Sequence, residues 1–197
     1  MNIAKKHVMS LEKKIMQTSA TKIKKILILG APGSGKSELA GELGKLLGIK
    51  EQDIHNLDRY FWKPGWKKTS LEERQEILSE LMAGSKWIID GNFFNVVDIL
   101  LENADYAIFL NISKWTTYWR LLAKWISYIP TGIPEIAYGC KDRVTLKYLR
   151  DMCMFRATEG KIIQEKAFKA LGADSVKIIN HPQELLDFLN ELNISNI

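Results

Sequence analysis

Lys25-Ile26-Leu27-Ile28-Leu29-Gly30-Ala31-Pro32-Gly33-Ser34-Gly35-Lys36-Ser37 is the most informative stretch of the chain. Its first half is a short aliphatic run closed by a glycine, the pattern of a strand buried on both faces of a parallel sheet. Its second half, Gly30 to Ser37, satisfies G-x-x-x-x-G-K-S. Glycines let successive backbone N–H groups curl inward, and a helix starting there adds the positive end of its dipole. Such a loop cradles nucleotide phosphates. Gly30, Ala31, Pro32, Gly33, Ser34 and Gly35 form the cradle, Lys36 reaches the β- and γ-phosphates, and the Ser37 hydroxyl ligates Mg²⁺. The context agrees, because Lys36–Leu47 has helical periodicity and stops at Gly48. A nucleotide polyphosphate with Mg²⁺ is the expected ligand.

Beyond the loop the chain alternates. Asp53–Leu57, Trp87–Ile89, Tyr106–Leu110 and Val176–Ile179 read as further strands. Ser70 with Glu73 resembles a capping box that opens a helix to about Ala83. Helices are also predicted over Phe93–Glu102, Lys114–Ser127, Val144–Leu171 (interrupted near Gly160) and Pro182–Leu192. Pro130–Cys140 reads as a loop rich in proline and glycine. Five strands alternating with helices predict an α/β fold with a five-stranded parallel sheet. Residues 1–21 read as an N-terminal extension, with Val8, Leu11 and Ile15 at helical spacing; 22–197 read as one P-loop domain with a lid region at about 114–160.

Composition narrows the function classes. The 197 residues are 46% hydrophobic and 26% charged, which excludes wholesale disorder. The longest apolar candidate, around Trp115–Ile129, is broken by Arg120, Lys124 and Ser127, so no membrane span is predicted. The N-terminus carries lysines but no continuous apolar stretch, and no secretory signal is expected. Cys140 and Cys153 have neither C-x-x-C spacing nor histidine partners, which fits reduced thiols in a cytosolic protein. The net charge of +5 comes from scattered lysines, 22 against 6 arginines, and predicts a solvated basic surface with one phosphate site rather than a nucleic-acid groove.

No N-K-x-D guanine-reading motif accompanies the loop, and the short chain favours a small-molecule kinase. Ligands of a parallel sheet gather outside the carboxyl ends of its strands. Asp58, just after a strand, is placed there to accept a proton from an attacking hydroxyl or to orient the acceptor. Asp90 ends the strand Trp87-Ile88-Ile89 and is the expected partner of Ser37 in holding Mg²⁺, through water. Positive charge on the transferred group would come from a closing lid, with Arg120, Arg143, Arg150 and Arg156 as candidates. Phe61, Trp62 and Trp66 either line the acceptor pocket or pack on the sheet. Trp115, Tyr118 and Trp119 are expected to pack their helix. His55 and His181 are read as exposed loop residues, although the backbone at Asn180-His181-Pro182 can touch an adenine edge.

Three segments together resemble the DNA topology-modulation proteins, relatives of adenylate kinase among the P-loop kinases. They are Gly30–Ser37, Leu57-Asp58-Arg59-Tyr60-Phe61-Trp62-Lys63-Pro64-Gly65-Trp66, and Trp87-Ile88-Ile89-Asp90-Gly91-Asn92-Phe93. The resemblance extends over about 23–190. It implies a P-loop three-layer fold with a small helical lid, ATP·Mg²⁺ at the loop, an acceptor pocket near Asp58, and Asp90 as the carboxylate of an Asp-Gly pair. The chain departs from the group at Phe94, where an arginine is usual, and at Lys124, which pairs with Arg120 in place of a second lid arginine. Lysine does not reproduce the bidentate fork of arginine. The expected activity is transfer of the γ-phosphoryl of ATP to a small-molecule acceptor, a nucleoside or nucleotide among the options. The alternative is a nucleotide-binding regulatory protein that acts on DNA topology with little turnover.

Overall fold

The aliphatic run after Lys24 forms the central strand of a sheet, and its residues leave the strand alternately to two faces. In the computed structural model, which describes residues 23–131, 134–141 and 159–195, this strand is β1 (Lys25–Gly30). The chain continues through α1 (Lys36–Leu47), β2 (Ile54–Asn56), a hairpin of β3 (Trp62–Lys63) and β4 (Lys67–Lys68), and α2 (Leu71–Leu81). Then come β5 (Trp87–Asp90), α3 (Val97–Asn103), β6 (Tyr106–Leu110), α4 (Lys114–Thr131) and a second hairpin, β7 (Glu135–Ala137) with β8 (Cys140–Lys141). The described chain closes with α5 (Glu159–Leu171), β9 (Val176–Ile179) and α6 (Pro182–Ser195).

The main sheet has five strands in the order β2-β5-β1-β6-β9, all parallel. Leu27 and Leu29 face one layer, where Leu78 of α2, Leu100 of α3 and Ile163 of α5 cover them together with Ile89 and Phe109. Ile26 and Ile28 face the other, against Leu39 and Leu43 of α1 and Phe188 of α6. Parallel strands need crossover helices, and helices on both faces require both sets of alternating side chains to be apolar. Hence the unbroken Ile-Leu-Ile-Leu. Connections leave β1 toward β2 and return past it from β5 to β6, so the carboxyl ends of these strands open on a crevice where the order reverses.

The five predicted strands and the α/β class match this architecture, and so do the helices opened at Lys36 and Ser70. Ser70 Oγ accepts from the Glu73 backbone N–H at 3.2 Å while Glu73 Oε2 accepts from Ser70 N–H at 2.8 Å, completing the capping box. Other expectations need correction. The helix expected from Phe93 begins as a 3₁₀ turn (Phe94–Val96) and becomes α-helical only at Val97. The helix expected to stop at Ser127 continues to Thr131, since a proline in the last turn removes a single intrahelical bond.

The segment 130–140, expected to be a loop, instead contains α4's end and the antiparallel β7–β8 pair. This second hairpin is tied to the first by Gly65 N–H donating to Gly139 O (3.2 Å) and by Cys140 Sγ against Lys63 O (3.1 Å). The helix predicted over Val144–Leu171 is described only over Glu159–Leu171, and the interruption expected near Gly160 falls at the edge of the described residues. The N-terminal extension, Cys153 and the lid arginines Arg143, Arg150 and Arg156 lie outside the described residues.

Candidate active site

The glycine-rich loop sits where its strand and helix put it, between β1 and α1 at the carboxyl edge of the sheet. Gly35 takes the N-cap position of α1 with φ 96, a left-handed conformation that a glycine adopts without steric cost. Gly33, at φ 75, is constrained twice: a Cβ there would stand 2.7 Å from Leu121 Cγ of α4. Asn92 clamps the other end of the loop. Its Oδ1 accepts from Gly30 N–H at 3.0 Å and its Nδ2 donates to Gly30 O.

Lys36 folds back over the loop, with Nζ donating to Gly30 O at 3.0 Å and Ala31 O at 3.1 Å. Burial pushes its ammonium below the ordinary lysine value, and the carboxylates of Asp90 and Asp58 oppose that shift. The Ser34 hydroxyl is fully buried and has no hydrogen-bond partner among the described residues. A buried donor of this kind carries a cost unless something polar reaches it.

Asp90, the last residue of β5, is 2% exposed. Desolvation pushes its carboxyl up to about 6, while the Ser37 hydrogen bond and the Lys36 charge pull the other way; Asp58 adds to the rise and Arg59 opposes it. Asn56 Nδ2 donates to both Asp90 Oδ1 (2.6 Å) and Ser37 Oγ (3.0 Å). Asp58 lies on a 3₁₀ turn (Leu57–Arg59) capped by the side chain of Asn56. Its Oδ1 accepts from Trp62 Nε1 at 3.2 Å. From α4, Arg120 crosses to the loop and donates from Nη1 to Ser34 O at 3.1 Å.

Lys36, Ser37, Asn56, Asp58 and Arg120 share one cleft of about 860 Å³. It is lined by the loop and Lys36, by Asn56, Asp58 and Arg59, and by Arg120, Lys124, Trp125 and Tyr128 of α4. The structure thus brings together Lys36, Ser37, Asp58 and Arg120, with Asp90 directly behind Ser37. Arg156 lies outside the described residues. Among the described residues no group of three or more His, Cys, Asp or Glu could hold a metal by itself. One buried carboxylate beside one hydroxyl is, however, the oxygen set that suits Mg²⁺, which takes its other ligands from water and substrate phosphates. The residues fit that ion.

The aromatic residues sort only partly as expected. Phe61 goes to the core with no exposure, and Trp62 and Trp66 stack edge-to-face with each other; none of the three lines the cleft. The aromatic walls come instead from Trp125 and Tyr128, which helical spacing placed on α4 without showing which side met the loop. Trp115 and Trp119, expected to pack, stand 67% and 63% exposed. The reason is that α4 meets the rest of the protein through Thr117 and Leu121, on its opposite side. His55, expected in an exposed loop, is buried in β2 with Nδ1 3.4 Å from Tyr60 Oη. Asn56 and Asn92 were missed as site residues. Asn92 has a weak signal in following Asp-Gly; Asn56 has none.

No protein-family model matches the chain, and no match is found among curated proteins. Solved structures do resemble it. The structure of shikimate kinase from Acinetobacter baumannii in complex with shikimate has a TM-score of 0.56 at 14% identity, covering 91% of this chain and 94% of that one. A gluconokinase from Sinorhizobium meliloti has a TM-score of 0.48, also at 14% identity, covering 88% and 91%. The likeness to the shikimate kinase shows a shared fold, a parallel sheet flanked by helices.

Proposed function

We propose that the protein is an ATP-dependent kinase that transfers the γ-phosphoryl group to a hydroxyl of a small-molecule acceptor. One observation carries the reading: Lys36, Asp58 and Arg120, from the first turn of α1, a 3₁₀ turn and α4, line a single cleft with Asp90 held behind Ser37. A kinase fold shared with the shikimate kinase supports it, and so do the motifs that resemble the DNA topology-modulation proteins.

In this reading the loop amides and Lys36 stabilise the β- and γ-phosphates, and Arg120 adds charge where it builds up during transfer. Asp58 faces the acceptor. As the acceptor oxygen bonds to the γ-phosphorus, the bond from that phosphorus to the β,γ-bridging oxygen breaks, and the hydroxyl proton passes to the Asp58 carboxylate. Ser37 and Asp90 would hold Mg²⁺, which when bound neutralises phosphate charge and orients the chain of phosphates. The Trp62 contact keeps Asp58 in one rotamer, so the acceptor oxygen meets a carboxylate already aimed.

Two measurements test this. Calorimetry with ATP and Mg²⁺ compares the wild type with Lys36→Ala; loss of a charged contact to phosphate of about 2–3 kcal/mol should weaken binding roughly 30- to 160-fold. Equal affinities would remove the loop from the mechanism. ADP release is then followed across a panel of nucleosides, nucleotides, sugars and hydroxy acids. An acceptor-dependent rate that Asp58→Asn lowers by a factor of roughly 10² or more supports the assignment of Asp58. If no acceptor raises ADP release above the rate in water, the kinase reading is wrong.

A further inference from the structure

Asn56 makes three polar contacts, each to a different part of the cleft. Its Nδ2 donates to Ser37 Oγ at 3.0 Å and to Asp90 Oδ1 at 2.6 Å, and its Oδ1 accepts from the Asp58 backbone N–H at 2.9 Å. Strand register explains the convergence. β2 runs parallel to β5, and Asn56, the last residue of β2, stands opposite Asp90, the last residue of β5. Both side chains therefore emerge at the same edge of the sheet, beside the first turn of α1, where Ser37 lies.

Few side chains can make this set of contacts. Two donated hydrogen bonds and one accepted require a carboxamide: a carboxylate only accepts, and a serine hydroxyl has one donor. An aspartate here would also set a second negative charge beside Asp90. With Nδ2 occupying one lone pair of Ser37 Oγ, the Ser37 proton is directed to Asp90, consistent with the hydrogen bond between those two residues. That leaves one Ser37 lone pair open to the cleft.

We propose that Asn56 is a positioning residue for the Mg²⁺ of the bound nucleotide: it fixes the Ser37 hydroxyl and the Asp90 carboxylate relative to each other, and links their placement to Asp58. The inference rests on the nucleotide-binding reading above. Mg²⁺ demands near-octahedral geometry with short bonds, so the orientation of its few protein oxygens governs affinity. Groups that orient such oxygens typically account for 10- to 100-fold in metal affinity. Asn56 acts through Ser37 and Asp90, and its effect should shrink when Asp90 no longer carries its charge.

The readout is the ratio of affinities for a non-hydrolysable ATP analogue in Mg²⁺ and in EDTA, measured by calorimetry. Asn56→Leu keeps the volume and removes all three contacts. It should cut the ratio about 10- to 100-fold. Asp90→Asn should cut the ratio similarly, and adding Asn56→Leu to it should lower the ratio little further. An Asn56→Leu protein with the wild-type ratio, or a double variant in which the two losses multiply, would overturn the proposal while leaving nucleotide binding intact. A wild type whose affinity Mg²⁺ does not raise would overturn the metal reading and this inference together. Should Asn56→Leu fail to fold, the wild type decides by NMR. The Asn56 Nδ2 proton pair should shift when Mg²⁺ is added to the analogue complex, and unmoved signals would refute the role.

Discussion

Asp90 is a carboxylate that the fold places where a charge is costly. Burial pushes it from the ordinary value of 3.8 up to about 6. A folded-state value above the unfolded one means that its protonated form favours folding: the stabilisation is present at low pH and is lost as pH rises from about 4 through about 6. Roughly two pH units at about 1.4 kcal/mol each make the buried anion a liability of about 3 kcal/mol at neutral pH without metal. Asp90→Asn should therefore raise the melting temperature at pH 7.5 in EDTA, with the gain disappearing near pH 4. Thermal denaturation across that range checks it, and a variant less stable than wild type at pH 7.5 would contradict the account. The same sign makes Mg²⁺-dependent nucleotide binding weaken as pH falls below about 6, because the proton competes for the carboxylate. Lys36 and Ser37 were readable from spacing, and Asp58 and Asp90 from their places after strands. Asn56 was not, since asparagine carries no motif of its own and its partners lie 19 and 34 residues away in sequence.

Elements differ in how far local chemistry determines them. The helix α2 is set by its capping box, so Ser70→Ala should cost about 1 kcal/mol in chemical denaturation while leaving nucleotide affinity unchanged. The contact between the loop and α4 has the opposite signature. At Gly33 an added Cβ meets Leu121 at 2.7 Å and the backbone at φ 75 resists a side chain. Gly33→Ala should displace either the loop or the helix carrying Arg120, and weaken ATP binding at least about 10-fold in calorimetry, more than its effect on stability implies. Full affinity in that variant would show that the loop and α4 adjust independently. The sequence of α4 has clear helical spacing, yet periodicity does not say which stripe meets the protein. Trp125 and Tyr128 line the cleft while Trp115 and Trp119 face outward, because the close approach at Gly33 sets the rotation of the helix. Likewise, strands of two or three residues such as those of the β7–β8 hairpin are too short to produce an alternation that could be read.

Across the whole molecule, the site and the sheet are one construction. A ligand that binds only the folded state at a hundred times its dissociation constant adds about 2.7 kcal/mol of stability. For a chain of this size that amounts to a rise in melting temperature of roughly 5–10 °C. ATP with Mg²⁺ should produce such a shift in the wild type and little in Lys36→Ala, by differential scanning fluorimetry; an equal shift in both would place the binding site elsewhere. The chain's own order of residues determined the alternation of strands and helices, the doubly apolar β1 and the loop between Gly30 and Ser37. These rest on contacts between residues close together in sequence, and local patterning expresses such contacts directly. The sheet order β2-β5-β1-β6-β9, the pairing of Asn56 with Asp90, and the side of α4 that carries Arg120 into the cleft came from tertiary structure alone. Each depends on which distant segments share a surface, and that is decided by packing the two faces of the sheet at once, a constraint that no single stretch of sequence contains.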